Sequence, residues 1–269
     1  FNPSSPFYVK PRLDLDFLQW AWAFKCSATK QKVAQSIPVI KDINVFSREL
    51  YSAMKVSGDF DFHYEHKGLL MAYKEEKMGE EEWNVGQKAI KNGLKVENLN
   101  AKEVVKLEPN ANLNIKGAVY YHSDAHMTPS VFMKNMLSYL QAAGVEILSE
   151  EEVKDIVISD KTITKLITNK QEIKADEFVM AAGSWSPIIS KKLGIKMLLQ
   201  PGKGYRINVA QETNITMPTV LLEAKVAVTP MDGFTRFSGT MEINKINHKI
   251  NSVRVNAIAN SASKYYQGL

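Results

Sequence analysis

Cysteine is nearly absent from this chain of 269 residues. Cys26 stands alone, so no disulfide can close within the sequence and neither secretion nor a cysteine-based metal site gains support. Histidine is sparse and scattered. Only His63 and His66 are near neighbours, and on a strand they would point to opposite faces, so no metal site is expected. No apolar run approaches the roughly 20 residues that span a bilayer. Charge of one sign is lacking too. The formal charge of +5 is spread out and interrupted by Glu80–Glu82 and Glu150–Glu152, which argues against a nucleic-acid surface. No G-x-S-x-G elbow is present to hold a hydrolase nucleophile. Nor is there a G-x-G-x-x-G turn. Its nearest approximation, Gly202 to Ile207, lacks the third glycine and opens no helix.

The most informative stretch that is present runs from Ala175 to Ile207. Glu177 to Met180 is a short apolar run with no polar face, the pattern of a strand buried on both sides. It ends in Ala181, Ala182, Gly183 and Ser184, small enough for a flat ligand to approach the backbone at the carboxyl end of the strand. A short helix follows, with Ser186 as its predicted cap, Pro187 in its first turn, Lys191 and Lys192 in its last and Gly194 as its stop.

Elsewhere the pattern alternates between helix and strand. Leu13 to Gln35 reads as a helix with Phe17, Trp20, Ala21 and Phe24 on one face, and Pro38 to Met54 as a second, with Ser36 near its cap. The aromatics Phe17, Trp20, Trp22 and Phe24 are expected to pack within this hairpin, with contact to a membrane surface as the alternative. Asp61 to Ala72 suggests a strand pair, and Glu80 to Asn92 a helix closed by Gly93. Asn100 and Glu103 have capping-box spacing. Thr128 and Pro129 open the best-marked helix, which Gly144 ends before a strand at Val145–Leu148. Val153–Ser159 and Thr162–Thr168 form a hairpin around Asp160-Lys161. Leu198–Val209, Thr219–Thr229 and Thr235–Ile243 read as strands, with a turn at Asp232-Gly233, and Ser252 to Tyr266 as a final helix.

The phrase Ala181-Ala182-Gly183-Ser184-Trp185-Ser186, with Leu193-Gly194-Ile195 and Pro201-Gly202-Lys203-Gly204-Tyr205 after it, resembles the D-amino-acid oxidase family of flavoenzymes. Asp124 to Pro129, Asp61 to Tyr64, Gly68 to Leu70, Leu107 to Pro109 and Gly117 to Tyr120 match further family phrases in order, nearest to D-amino-acid dehydrogenase and glycine oxidase. The resemblance covers about Asp61 to Ile243. It implies an α+β or α/β chain: a partial FAD-binding α/β domain, a mixed, mainly antiparallel substrate-domain sheet and an N-terminal helical region. The implied divisions are residues 1–58 as a helical lobe or lid, 59–125 with 196–250 as a discontinuous substrate domain, 126–195 as part of the FAD-binding domain and 251–269 as a C-terminal helix.

The same resemblance implies FAD as cofactor and D-amino acids or small amines as substrates, oxidised by hydride transfer from Cα to flavin. It places Val153 near the adenine and Ala181, Ala182, Gly183, Ser184 and Trp185 beside the flavin. By spacing alone Val153 reads as core. Family members often place a tyrosine over the substrate three residues before a proline. Here that position is Ala227, which puts the substrate in doubt; Tyr205 is the candidate replacement. The carboxylate-binding arginine of the family lies beyond this chain's last residue, leaving Arg206 and Arg236 as substitutes or as solvated strand residues. With no glycine-rich phosphate turn, the chain reads as an internal portion of a longer flavoprotein, itself expected to be inactive and not to retain FAD. The alternative is a non-catalytic substrate-binding portion without flavin. No catalytic residue is assigned. The expected location is the cytoplasm, with peripheral contact at the inner face of the membrane as the variant that the aromatic helices suggest.

Overall fold

The computed structural model describes residues 6–10, 12–59 and 61–267. The chain enters through β1 (Phe7–Val9), then α1 (Leu15–Ser27) and α2 (Lys30–Ser57). The helix break predicted near Gln35 lies earlier, at Ala28–Thr29. Asp14 caps α1 by accepting from the Phe17 amide at 2.8 Å, and Thr29 caps α2 by accepting from Lys32 N at 3.3 Å. Pro38 sits inside α2 rather than at its start. A cap nine residues upstream nucleates the helix, which then continues past the missing proline donor. Neither helix has a buried residue.

The next elements are β2 (Tyr64–Glu65), β3 (Leu69–Tyr73), α3 (Glu76–Lys91), β4 (Val96–Asn100), α4 (Ala101–Leu107), β5 (Gly117–Tyr121), β6 (His126–Met127) and α5 (Pro129–Ala142). The capping box at α4 forms in full: Glu103 N donates to Asn100 Oδ1 at 3.1 Å and Asn100 N to Glu103 Oε2 at 2.8 Å. The strand pair expected between Asp61 and Ala72 does not form, because β2 pairs with β6 and β3 joins a larger sheet. Thr128 does hold the N-cap position of α5, but its hydroxyl makes no cap bond.

Then come β7 (Val153–Ser159), β8 (Thr162–Thr168), β9 (Glu172–Ile173) and, after a single 3₁₀ turn at Gly183–Trp185, α6 (Ser186–Lys192). Asp160 and Lys161 both have positive φ, 50° and 63°, the handedness that matches the twist of a two-residue hairpin. The segments Val145–Leu148 and Glu177–Met180 form no strand, and Val179 is 91% exposed. Both were expected to be strands, the second of them buried on both sides. A strand exists only where a neighbour accepts its backbone hydrogen bonds, and the described residues offer these two none. Ser186 proves to be the first helical residue of α6, with Trp185 at the cap position.

Last are β10 (Gly202–Val209), β11 (Thr219–Leu221), β12 (Val226–Met231), β13 (Phe234–Ile243) and α7 (Ser252–Ala262). Eight strands form one mixed sheet in the order β1-β13-β12-β11-β3-β5-β4, with β10 on the other edge of β13. One face is the core, where Leu70, Ala118, Leu221, Val228 and Phe237 pack with Ile258 and Ala262 of α7. On the opposite face α3 covers only β3, β4 and β5. It lies close because Gly79 and Gly86 face the sheet: a Cβ would stand 2.5 Å from the Tyr73 ring at the first and 3.2 Å from Val119 at the second. Over β10, β12 and β13 no helix among the described residues packs comparably on that face, since α7 contacts these strands from the core side. The strands β7, β8 and β9 form a separate sheet.

Candidate functional site

Strand alternation decides which candidate residues meet. Ala227 is paired with Ser238, Arg206 with the same Ser238, and Arg236 with Thr229 and Asn208. These residues therefore share one face of the sheet, opposite the buried Val226, Val228, Thr235 and Phe237. Arg236 Nε donates to Asn208 Oδ1 at 3.2 Å, and its guanidinium lies 5.4 Å from the Phe234 ring centroid. Burial, then the neighbouring positive charge of Arg206, holds Arg236 below the usual guanidinium range. Tyr205 faces the other way. It is 7% exposed and part of the core, so the structure does not bring it to the face of Ala227 and Arg236. Along β10 it alternates with Arg206 and Asn208 and shares its side with Ile207 and Val209; the slip at Gly204/Tyr205 leaves Thr240 of β13 as the extra residue, with φ 50°.

The turn at 181–185 is accessible. Ala181 and Gly183 are exposed, Ala182 and Ser184 half-buried, and Trp185 is 50% exposed. Gly183 has φ +52°, and a Cβ there would meet nothing within 4 Å. A flat ring could lie against this backbone, since no side chain from Ala181 to Ser184 exceeds a hydroxymethyl group. The phosphates of a dinucleotide would need donors from outside these residues. Val153 opens β7 opposite Thr168 and is half-buried. Lys192 Nζ donates to Lys154 O at 2.6 Å and lies 3.7 Å from Asp155. The helix after the small-residue turn is thereby fastened to the strand that Val153 begins.

Sequence reasoning missed a polar network joining β2, β6, α5 and the 232–233 turn. Thr128 Oγ1 is 3.1 Å from His63 Nδ1 and accepts from Asp232 N at 2.8 Å. The His63 and His126 rings pack at 5.8 Å between centroids, and Glu65 Oε2 lies 3.3 Å from His126 Nε2. Burial drives His126 down to about 4 from 6.5, against the pull of Glu65. Burial raises Glu65, but Lys67 at 2.8 Å and the two histidines hold it below the ordinary carboxylate range. A cavity of about 570 Å³ adjoins this network, lined by α2 (Ile40, Asn44, Arg48, Tyr51) and by Asp124 to Met127. Arg48 Nη1 donates to Ser123 O at 2.9 Å across it, and burial raises Asp124. The pattern H-x-E at His63–Glu65 and the distant His126 were visible, but only the β2–β6 pairing joins them.

A mixed sheet with one open polar face, beside a separate small sheet and a small-residue turn, is a fold shared with solved oxidases. The structure of glycine oxidase from Geobacillus kaustophilus matches with a TM-score of 0.73 and 18% identity, covering 82% of this chain and 60% of that one. Glycine oxidase from Bacillus cereus matches with a TM-score of 0.69 and 22% identity, covering 81% and 60%. The chain belongs to the DAO family of FAD-dependent oxidoreductases, whose model matches residues 23–269. Among curated relatives, D-amino acid dehydrogenase of Helicobacter pylori strain J99 is 31% identical over 245 residues, 90% of this chain and 58% of that protein. D-amino acid dehydrogenase of Vibrio vulnificus strain CMCP6 is 26% identical, over 89% and 59%. The chain thus spans less than two thirds of the length of these relatives.

Proposed function

We propose that the whole protein oxidises D-amino acids or related small amines with FAD. The observation that carries this reading is the family match over residues 23–269, supported by dehydrogenase relatives that align with nine tenths of the chain. Residues 69–121 with 202–243 would form the substrate domain, joined at one edge by Phe7–Val9. Residues 126–195 would form part of the flavin domain, with the helical lobe 12–57 beside them. Ala181 to Trp185 would lie along the flavin, and Val153 near the adenine. When bound, FAD accepts the hydride that leaves the substrate Cα. Arg236 would hold the substrate carboxylate, since a planar guanidinium binds two oxygens at once. Ala227 would leave open the volume that a tyrosine fills in other family members. Tyr205 would act only from beneath, by fixing the strand that carries Arg206.

Anaerobic mixing of the purified whole protein with D-amino acids tests this proposal. The flavin absorbance should bleach with D-enantiomers; a protein without flavin, or one bleached by no amine, overturns it. The competing reading, a flavin-free substrate-binding portion, draws on the missing glycine-rich turn and applies to the chain taken alone. Peripheral contact with the inner face of a membrane belongs to the same proposal. Trp22, Phe24, Ile43 and Phe46 are more than half exposed, and no helix among the described residues is long and apolar enough to cross a bilayer. Flotation with liposomes checks this point, and failure to float removes it.

A further inference from the structure

The open sheet face carries two arginines without an acid. Arg206 is opposite Ser238 and Arg236 is opposite Asn208 on the same antiparallel pair, so the two stand as diagonal neighbours, within reach of long side chains. No ion pair among the described residues involves either one. Like charges so placed disfavour each other, and the half-buried Arg236 is partly desolvated as well. An arrangement of this kind is relieved by an anion that bridges it. Asn208 fixes the Nε edge of Arg236 and Phe234 lies beside the guanidinium, which limits its rotamers. Between the arginines the surface is small and polar: Ser238 faces both Arg206 and Ala227 across the strands.

We propose that Arg206 and Arg236 form a two-point carboxylate site that selects dicarboxylic amino acids over neutral ones. The proposal rests on the reading of the whole protein as an amino-acid oxidoreductase. Arg236 takes one carboxylate of the substrate and Arg206 the other, while the short side chains of Ser238 and Ala227 leave the intervening space for the carbon chain. A neutral substrate leaves Arg206 without a counter-charge and gains nothing from it. Discrimination of this type is strong, because a site built for a charged group loses a charge-assisted hydrogen bond when that group is missing.

The test compares kcat/KM for D-glutamate, D-aspartate and D-alanine in the wild-type whole protein, R206Q and R236Q. The expected result is a preference for the acidic substrates. The acidic-to-neutral ratio should drop about tenfold or more in R206Q, the factor that follows from about 1.4 kcal/mol, and R206K should restore part of it. Turnover of neutral D-amino acids with a ratio unmoved by R206Q would show a merely solvated sheet face and overturn the proposal, leaving the oxidoreductase reading intact. If no amino acid reduces the flavin, that reading fails, and calorimetry with glutarate and butyrate judges the arginine pair by itself. Tighter binding of glutarate that R206Q abolishes supports the pair; equal affinities refute it. Circular dichroism of each variant separates misfolding from loss of the site.

Discussion

Two residues carry the sharpest expectations. Gly183 has positive φ, which disfavours any side chain by about 1–2 kcal/mol, yet the space around it is open. Gly183→Val should therefore fold in the whole protein with a modest loss of stability. If the turn lies against the flavin, the same variant should lose the cofactor, measured as the ratio of visible to ultraviolet absorbance; normal flavin content would make the turn purely structural. His126 gives a pH dependence. Its folded-state value of about 4 lies below the ordinary 6.5, so between these limits the unfolded chain binds a proton that the folded one refuses. The contribution of neutral His126 to stability is complete above pH 6.5 and is lost as the pH falls toward 4. Thermal melts should show a lower Tm at pH 5 than at pH 7, and His126→Gln should remove much of that difference. An unchanged pH profile in the variant would assign the effect to other groups.

At the scale of elements, short connections are held by single polar side chains. Glu108, 1% exposed, accepts from Thr216 N at 2.8 Å, Thr216 Oγ1 at 3.0 Å and Met217 N at 2.5 Å. It thereby ties the end of α4 to the segment leading into β11. Glu108→Ala would strand buried donors and should cost about 3 kcal/mol or more in urea unfolding, with Glu108→Gln milder. A loss under about 1 kcal/mol would mean that water replaces the carboxylate. The capping box of α4 is worth less. Asn100→Ala should lower stability by about 1 kcal/mol, because the helix is short and its first-turn amides lie near solvent. Comparison of the two variants by the same unfolding measurement ranks burial above helix propensity as the source of stability in this region.

The whole molecule raises the question of cofactor affinity. Dinucleotides are held in this family of folds chiefly by backbone donors and the dipole at a helix N-terminus beneath the pyrophosphate, and the sequence contains no glycine-rich turn to supply them. Calorimetry of the chain itself with excess FAD should show no binding at micromolar concentration. Micromolar or tighter affinity would mean that the 181–185 turn and Val153 suffice without phosphate contacts.

Local chemistry was legible in the sequence. The Asn100–Glu103 box, the Asp160-Lys161 hairpin, the stop at Gly194 with φ +70° and the strand alternation of β13 all depend on neighbours a few residues away, and each formed; the single strand read at Thr219–Thr229 instead folds back on itself as β11 and β12. The family phrases likewise pointed to a flavoenzyme fold. Three features depended on partners distant in the chain. The segments 145–148 and 177–180 read as strands, the second with the composition of a buried one, but the described residues supply no pairing edge. Tyr205 alternates with Arg206 and faces inward with Ile207 and Val209, and only the packing of β10 and β13 against α7 makes that side the core. His63, Glu65 and His126 became one cluster only through the two-residue ladder of β2 and β6. Periodicity states which faces a segment has; the pairing of distant strands decides what those faces meet.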